Sequence, residues 1–330
     1  MNRSRITIAD IEQARDRIST AVVQTPVVQS AALSELSGVC VNLKLEHLQT
    51  TGSFKLRGAS NAVLNLDSEQ RKNGVVGVST GNHGRGLAYA ASQAGIRCII
   101  CMSSLVPQNK IDGIKSHGAE VRIVGKSQDD AQIEVDRLVK EENMTMLPPF
   151  DHFDIISGQG TLGLELLEQV PNVEAVVVPV SGGGLISGVA VALKTQNPAI
   201  RVIGVSMERG AAMHASLKAK HPVLVDELPT LADSLGGGIG LDNQYTFAMA
   251  QDLIDEFILV SEDEIALAIR HAYWKERLII EGSGSVGIAA LLSGKLQCSK
   301  SLAIIVSGGN IDMDLHYRII SGENVDIANE

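Results

Sequence analysis

Six short runs of Val, Ile and Leu recur along the chain, separated by helix-length segments. They are VVGVS at 75–79, RCIICM at 97–102, EVRIVG at 120–125, AVVVPVS at 175–181, RVIGVS at 201–206 and SLAIIVS at 301–307. Helical periodicity lies between them, over 82–94, 108–117, 129–142 and 261–278. Continuous apolar strands alternating with helices have both faces of a parallel sheet covered, so the pattern predicts an α/β fold. The segment 261–278 carries its own start signal, since Ser261 followed three residues later by Glu264 is a capping box. Two interruptions, NGV near Asn73 and the Pro148-Pro149 pair, set off residues 75–150 as a compact unit. That unit is inserted in a larger one made of 1–74 and 151–330.

Composition narrows the partners. Hydrophobic residues make up 45% of the 330 and charged residues 20%, enough apolar surface for an ordered core. A formal charge of −10 without any Lys/Arg run argues against nucleic acid. No apolar stretch approaches a bilayer span, and the start, MNRSRITIADIEQARDRIS, reads as a charged amphipathic helix instead of a signal peptide. A cytoplasmic protein is expected, with no membrane partner. Cys98 and Cys101 form a CxxC, but within a strand they point to opposite faces, so reduced packing thiols are expected there and at Cys40 and Cys298.

Three glycine-rich loops and one lysine carry the chemistry. In AVVVPVSGGGLISG, Gly182, Gly183 and Gly184 turn a strand into a helix whose N-terminus favours an anion such as a phosphate. A dinucleotide is the rival ligand, with Glu208 at a workable distance for a ribose, but the G-x-G-x-x-G pattern fails at Ser187. In VSTGNHGRG, Ser79, Thr80, Gly81, Asn82 and His83 gather hydroxyls, an amide and free N–H groups at a helix start, which suits a carboxylate better than a metal. In AIIVSGGNID, Ser307 ends a strand ahead of two glycines. Lys55 sits in SFKLRG, an apolar setting foreign to an ordinary surface lysine.

Taken in order and spacing, SFKLRGA, STGNHGRGLAYAA, GQGTLGLELL, SGGGLISG and SGGNID resemble the fold type II pyridoxal-phosphate enzymes, of the serine/threonine dehydratase and serine racemase branch. The resemblance implies two domains, each a mainly parallel sheet flanked by helices, the small one closing over substrate, and a homodimer. It implies that Lys55 is the Schiff-base lysine near Phe54, that Asn82 meets the cofactor's 3-hydroxyl, and that the main chain of Gly182, Gly183, Gly184 and Leu185 holds its phosphate. Ser307 would face the pyridine nitrogen, while Ser79, Thr80, Gly81 and His83 line the loop for the substrate carboxylate. An ammonium desolvated in such a place loses its preference for charge, so Lys55 can serve as nucleophile and base. The implied reaction is β-elimination from a β-hydroxy-α-amino acid to a 2-oxo acid and ammonia.

Several departures from the family refine this expectation. Relatives often hold a divalent cation through a Glu, a carbonyl and an Asp. Glu208 and Ala212 fit the first two positions, but His214 stands at the third, so a hard cation is disfavoured. The chain ends soon after SGGNID, which leaves no regulatory domain and favours a catabolic role. Racemases have a serine where Thr80 stands, which lowers that alternative. In PTLADSLGGGIGLDN, Ser234 replaces the glycine of simple threonine dehydratases. With SMERGAAMHASL and NHGRG, this resembles the hydroxyectoine-utilisation dehydratases and implies a 3-hydroxy-2,4-diaminobutyrate substrate, with L-threonine or L-serine as the alternative. An NAD-binding oxidoreductase and an inactive pyridoxal-phosphate-binding relative complete the alternatives.

Overall fold

Every one of the six apolar runs forms a strand paired in parallel; all are largely buried except 120–123, which lies at a sheet edge with its ends exposed. The computed structural model describes residues 5–79, 81–106 and 108–325. Its ten strands, among the described residues, are β1 (Val27–Gln29), β2 (Cys40–Leu45), β3 (Val75–Val78), β4 (Cys98–Met102), β5 (Glu120–Ile123), β6 (Thr145–Met146), β7 (Ala175–Pro179), β8 (Arg201–Met207), β9 (Glu256–Val260) and β10 (Ser301–Val306). Six make one sheet in the order β1-β2-β10-β7-β8-β9, and four make a second in the order β5-β4-β3-β6. Only the β1–β2 pair is antiparallel among these ladders. The chain thus leaves the larger sheet after β2, builds the smaller one over 75–146, and returns at β7.

Alternation along the strands sorts side chains to the two faces. On β7 and β10, Ala175, Val177, Leu302 and Ile304 join one core, while Val176, Val178, Ala303 and Ile305 join another. On β4, Cys98, Ile100 and Met102 face one cluster and Ile99 and Cys101 the opposite one. Both thiols are buried, and burial pushes them up, Cys98 to about 12 and Cys101 to about 11. They are packing groups on opposite faces, as the CxxC spacing on a strand requires.

The helix Lys55–Leu64 lies against both helix Asn82–Gln93 and helix Phe153–Gln169. Its approach to the latter is close: a Cβ on Gly158 would fall 2.7 Å from Arg57 O. Arg57, fully buried, donates to Glu46 and Glu165, and Lys44 of β2 donates to Glu165 as well. This four-charge cluster fixes the helix that begins with Lys55. The expected helix over 261–278 opens with the Ser261–Glu264 capping box but runs only over Glu262–His271. A π turn, Ala272–Glu276, follows and is closed by Arg277 in the left-handed region at φ 60°.

Candidate active site

The glycine loops fall at the carboxyl ends of parallel strands, where such sheets present functional groups. Main-chain bonds then stitch two distant loops together. Phe54 N donates to Ser307 O (3.0 Å) and Gly309 N to Gly52 O (2.9 Å), with an antiparallel bridge between Ser53 and Gly308. Asn310 Nδ2 donates to Thr51 O at 2.9 Å. This ladder brings Lys55 and Ser307 to the wall of one cavity of about 380 Å³.

Lys55 is half-buried; its Nζ donates to Pro149 O at 2.8 Å and stands 5.4 Å from the centroid of the Phe54 ring. Burial pushes its pKa down to about 8, partly offset by the Glu281 carboxyl. Gly182, Gly183, Gly184 and Leu185 line the same cavity, at the start of helix Gly184–Gln196. The first N–H groups of a helix lack intrahelical acceptors, so this stretch offers an anion site. Gly183 is left-handed at φ +87°, and a Cβ on Gly182 would fall 2.3 Å from the Phe150 ring. The triplet therefore serves both the turn and the seating of Phe150. Ser187 is buried with its hydroxyl unpartnered, and Gly188 makes the tight helix contact, 2.3 Å from a would-be Cβ to Ile156 O.

Ser79, Gly81, Asn82 and His83 also line the cavity. The Ser79 hydroxyl accepts from Gly84 N at 3.1 Å and so holds the helix start. His83 Nε2 lies 2.9 Å from Leu147 O, a carbonyl that can only accept, so the proton sits on Nε2. Burial, reinforced by the charge of Lys55, pushes its pKa down to about 3, and the ring is neutral. Ser234, in the short turn Asp233–Leu235, reaches within 3.4 Å of Asn82 Nδ2. Thr80 lies outside the described residues. Ser307 is 3% exposed, and the neighbouring Ser283 hydroxyl is buried without a partner.

Glu208, Ala212 and His214 lie outside this cavity. The Lys295 ammonium sits 3.6 Å from Glu208 Oε1 and 2.7 Å from Glu264 Oε2, occupying the neighbourhood of the first expected metal ligand. The His214 ring packs on Phe257 at 5.3 Å. Among the described residues no cluster of three His, Cys, Asp or Glu is placed to hold a metal ion.

One functional group escaped the sequence motifs. Glu281 lines the cavity at 3% exposure and accepts from Asn82 Nδ2 at 2.6 Å. Its signal in the sequence is a lone carboxylate between Ile280 and Gly282, opening an apolar helix.

A lysine of lowered basicity, a glycine-rich helix start and buried hydroxyls around one cavity define a site for an aldehyde cofactor carrying a phosphate. Residues 18–308 match the family described as pyridoxal-phosphate dependent enzyme, and the chain belongs to it. Within that family it falls among the threonine dehydratase-type ammonia-lyases. It is 57% identical over 320 residues to the "Putative threonine dehydratase" of Sinorhizobium fredii, covering 97% of this chain and 96% of that protein. It is 42% identical to the L-threonine ammonia-lyase of Thermotoga maritima, over 96% of this chain and 78% of that protein. Maize serine racemase superposes with a TM-score of 0.90 at 35% identity, over 96% of this chain and 97% of that one. Family membership removes the dinucleotide reading, and no helix among the described residues is long and apolar enough to cross a membrane.

Proposed function

We propose that the chain catalyses β-elimination from a β-hydroxy-α-amino acid, releasing a 2-oxo acid and ammonia. The observation that carries this reading is Lys55, an amine of lowered basicity at the mouth of a helix, in one cavity with the glycine loop and Ser307. When bound, pyridoxal phosphate supplies an electron-withdrawing ring conjugated to the substrate amine, which acidifies the Cα hydrogen. Lys55 would hold the cofactor covalently beside Phe54, Asn82 would meet its 3-hydroxyl, and the N–H groups of Gly182, Gly183, Gly184 and Leu185 would take its phosphate. Once released, the Lys55 amine takes the Cα proton, a general-base contribution of typically ~10²–10⁴-fold. Ser307 would offer the ring nitrogen a neutral hydroxyl. A neutral partner of this kind would favour an unprotonated ring nitrogen, and so loss of the β-hydroxyl over transamination. Ser79, Thr80, Gly81 and His83 would receive the substrate carboxylate, and the unit over 75–150 would close over it.

For the substrate, we favour a 3-hydroxy-2,4-diaminobutyrate derived from hydroxyectoine. Ser234 supports this, since it adds a hydroxyl beside Asn82. The Glu227 carboxylate lines the cavity beside Gly236 and suits an additional ammonium, while Asp233 is already paired with Lys110 at 2.9 Å. Room supports it as well, because a Cβ on Gly237, which lines the cavity, would meet nothing within 4 Å. A pocket built to bond a polar group rejects analogues lacking it, by as much as ~10⁴–10⁵.

The test is a side-by-side assay of oxo-acid and ammonia release from the hydroxylated diamino acid, L-threonine and L-serine, with chiral analysis of recovered substrate. The expected result is the highest kcat/KM for the diamino acid. Equal or better turnover of L-threonine returns the chain to the ordinary threonine dehydratases, and inverted substrate without ammonia makes it a racemase. Lys55→Ala should fold, bind no cofactor covalently and release no ammonia; native turnover by that variant would remove Lys55 from the chemistry.

A further inference from the structure

The carboxyl of Glu281 takes no part in the proposed reaction, yet it is buried in the cavity wall and hydrogen-bonded through both oxygens. It occupies the N-cap of helix Gly282–Leu292 and makes no side-chain capping bond. Both its oxygens point elsewhere. Oε1 accepts from Asn82 Nδ2 at 2.6 Å, and Oε2 accepts from the main-chain N of Asn310 at 3.1 Å. Asn310 closes the circuit, because its Nδ2 donates to Asn82 Oδ1 at 2.6 Å. The Asn82 carboxamide therefore has one permitted orientation, as a flipped amide would set oxygen against the carboxyl and NH₂ against NH₂. Gly308 makes this possible, since a Cβ there would fall 2.3 Å from Glu281 Oε1.

We propose that Glu281 is a positioning residue of this pocket: it locks the Asn82 carboxamide in one orientation and sets the charge that Lys55 faces, so that cofactor capture by Lys55 depends on its carboxyl. The proposal rests on the reading of the cavity as a pyridoxal-phosphate site. With each oxygen already accepting from an N–H, a proton bound to Glu281 has to point away from Asn82 and Asn310. Burial pushes that carboxyl up to about 8; the charge of Asp233 adds to the shift, and the bonds from Asn82 and Asn310 and the charge of Lys110 oppose it. The charged or titratable groups around it are Lys55 at the head of its helix, His83 and Arg85 from helix Asn82–Gln93, Lys110 from helix Gln108–Lys115, and Asp233 from its short turn.

Glutamine at this position has one acceptor oxygen and one NH₂, so it satisfies Asn82 or Asn310 N but sets a donor against the other. A buried donor left unmatched weakens whatever depends on its geometry, here by about tenfold. The experiment follows capture of pyridoxal phosphate by the apo-protein, through the absorbance of the bound cofactor, as a function of pH. Wild-type capture should rise with pH around a midpoint near 8, where burial, opposed by the Glu281 carboxyl, leaves Lys55. In Glu281→Gln the midpoint should move to lower pH, because an ionised carboxyl no longer favours the ammonium, and pyridoxal phosphate should bind about tenfold more weakly. Asn310→Ala keeps the carboxyl and removes the side-chain bonds to both Asn82 Oδ1 and Thr51 O, so it should lose affinity at an unchanged midpoint. If Glu281→Gln fails to fold by circular dichroism, Asn310→Ala decides, and undiminished affinity there overturns the proposal. Midpoint and affinity equal to wild type in a folded Glu281→Gln overturn it too. Should the wild-type chain form no borohydride-reducible link at Lys55, it is the cofactor reading that falls.

Discussion

Arg57→Met removes a guanidinium that is 0% exposed while filling most of its space. Arg57 donates to both Glu46 oxygens at 2.8 Å and to Glu165 at 2.6 and 2.8 Å. After the substitution Glu165 keeps Lys44, 2.5 Å from Oε2, but the fully buried Glu46 keeps only neutral hydrogen-bond partners, the Thr25 hydroxyl and the Gln49 amide. Removing one partner of a buried ion pair destabilises by ~3–5 kcal/mol, a large share of the ~5–15 kcal/mol typical of a folded domain. The pH dependence gives the sign. Burial alone would raise the Glu46 pKa, but the charge and hydrogen bonds of Arg57 outweigh it and hold the carboxyl below 4.5. In the wild type that stabilisation is present above pH 4.5 and is lost as pH falls through the depressed folded value. Without Arg57 burial prevails and the folded value lies above 4.5, so protonation on acidification relieves the variant. The stability gap should therefore be widest near neutral pH and narrow towards acid. Urea unfolding of both holoproteins at several pH values measures it, and Arg57→Met/Glu46→Gln should recover most of the loss. A gap below ~1 kcal/mol at neutral pH, within the range of an exposed ion pair, would refute the reading of this cluster as an ionised anchor.

Further outcomes follow from the same geometry. Ser307→Asp should favour protonation of the ring nitrogen and slow elimination; an unchanged kcat would mean that Ser307 does not face the ring. Burial, with the charge of Lys55, depresses His83 to about 3, and burial depresses His47 to about 4, so both imidazoles take up protons more readily when the chain unfolds. The stability they confer is full above pH 6.5 and should drain away as pH falls towards 4, with a shallower acid limb in His83→Asn as the check. Chelation should change activity little, since Lys295 already neutralises Glu208 and His214 packs on Phe257. A large loss restored by Mg²⁺ would contradict this. We also expect a homodimer, because Met313 and Tyr317 on one face of helix Met313–Ile320, together with Trp274, leave large apolar groups exposed. Sedimentation of a monomer at working concentration would count against it.

Which parts of this molecule are legible in its sequence depends on whether a residue's partner is local. The exposed edge strand β5 shows only the alternation of Val121 and Ile123 with charged residues, while strands β3, β4, β7, β8 and β10 announce themselves because burial on both faces demands unbroken apolar runs. β2 does not, since Lys44 interrupts CVNLKL, and Lys44 is there for Glu165 on a helix more than a hundred residues away. β1 and β6 are three and two residues long, too short to show a period. The same contrast runs through the site. Lys55 and the glycine loops stand out because their local settings are odd for their types, whereas the bonds from Phe54 and Asn310 that bring Lys55 to Ser307 are invisible until the chain is folded. Glu281 lies between these cases. Glutamate is not among the residues favoured at a helix N-cap, and here its side chain caps nothing. A carboxylate between Ile280 and Gly282, at the head of a buried helix with no other charged residue, has no local reason to be there, so its partner has to come from elsewhere in the fold. Asn82 and Asn310, each inside a recognisable glycine motif, are the donors that supply it.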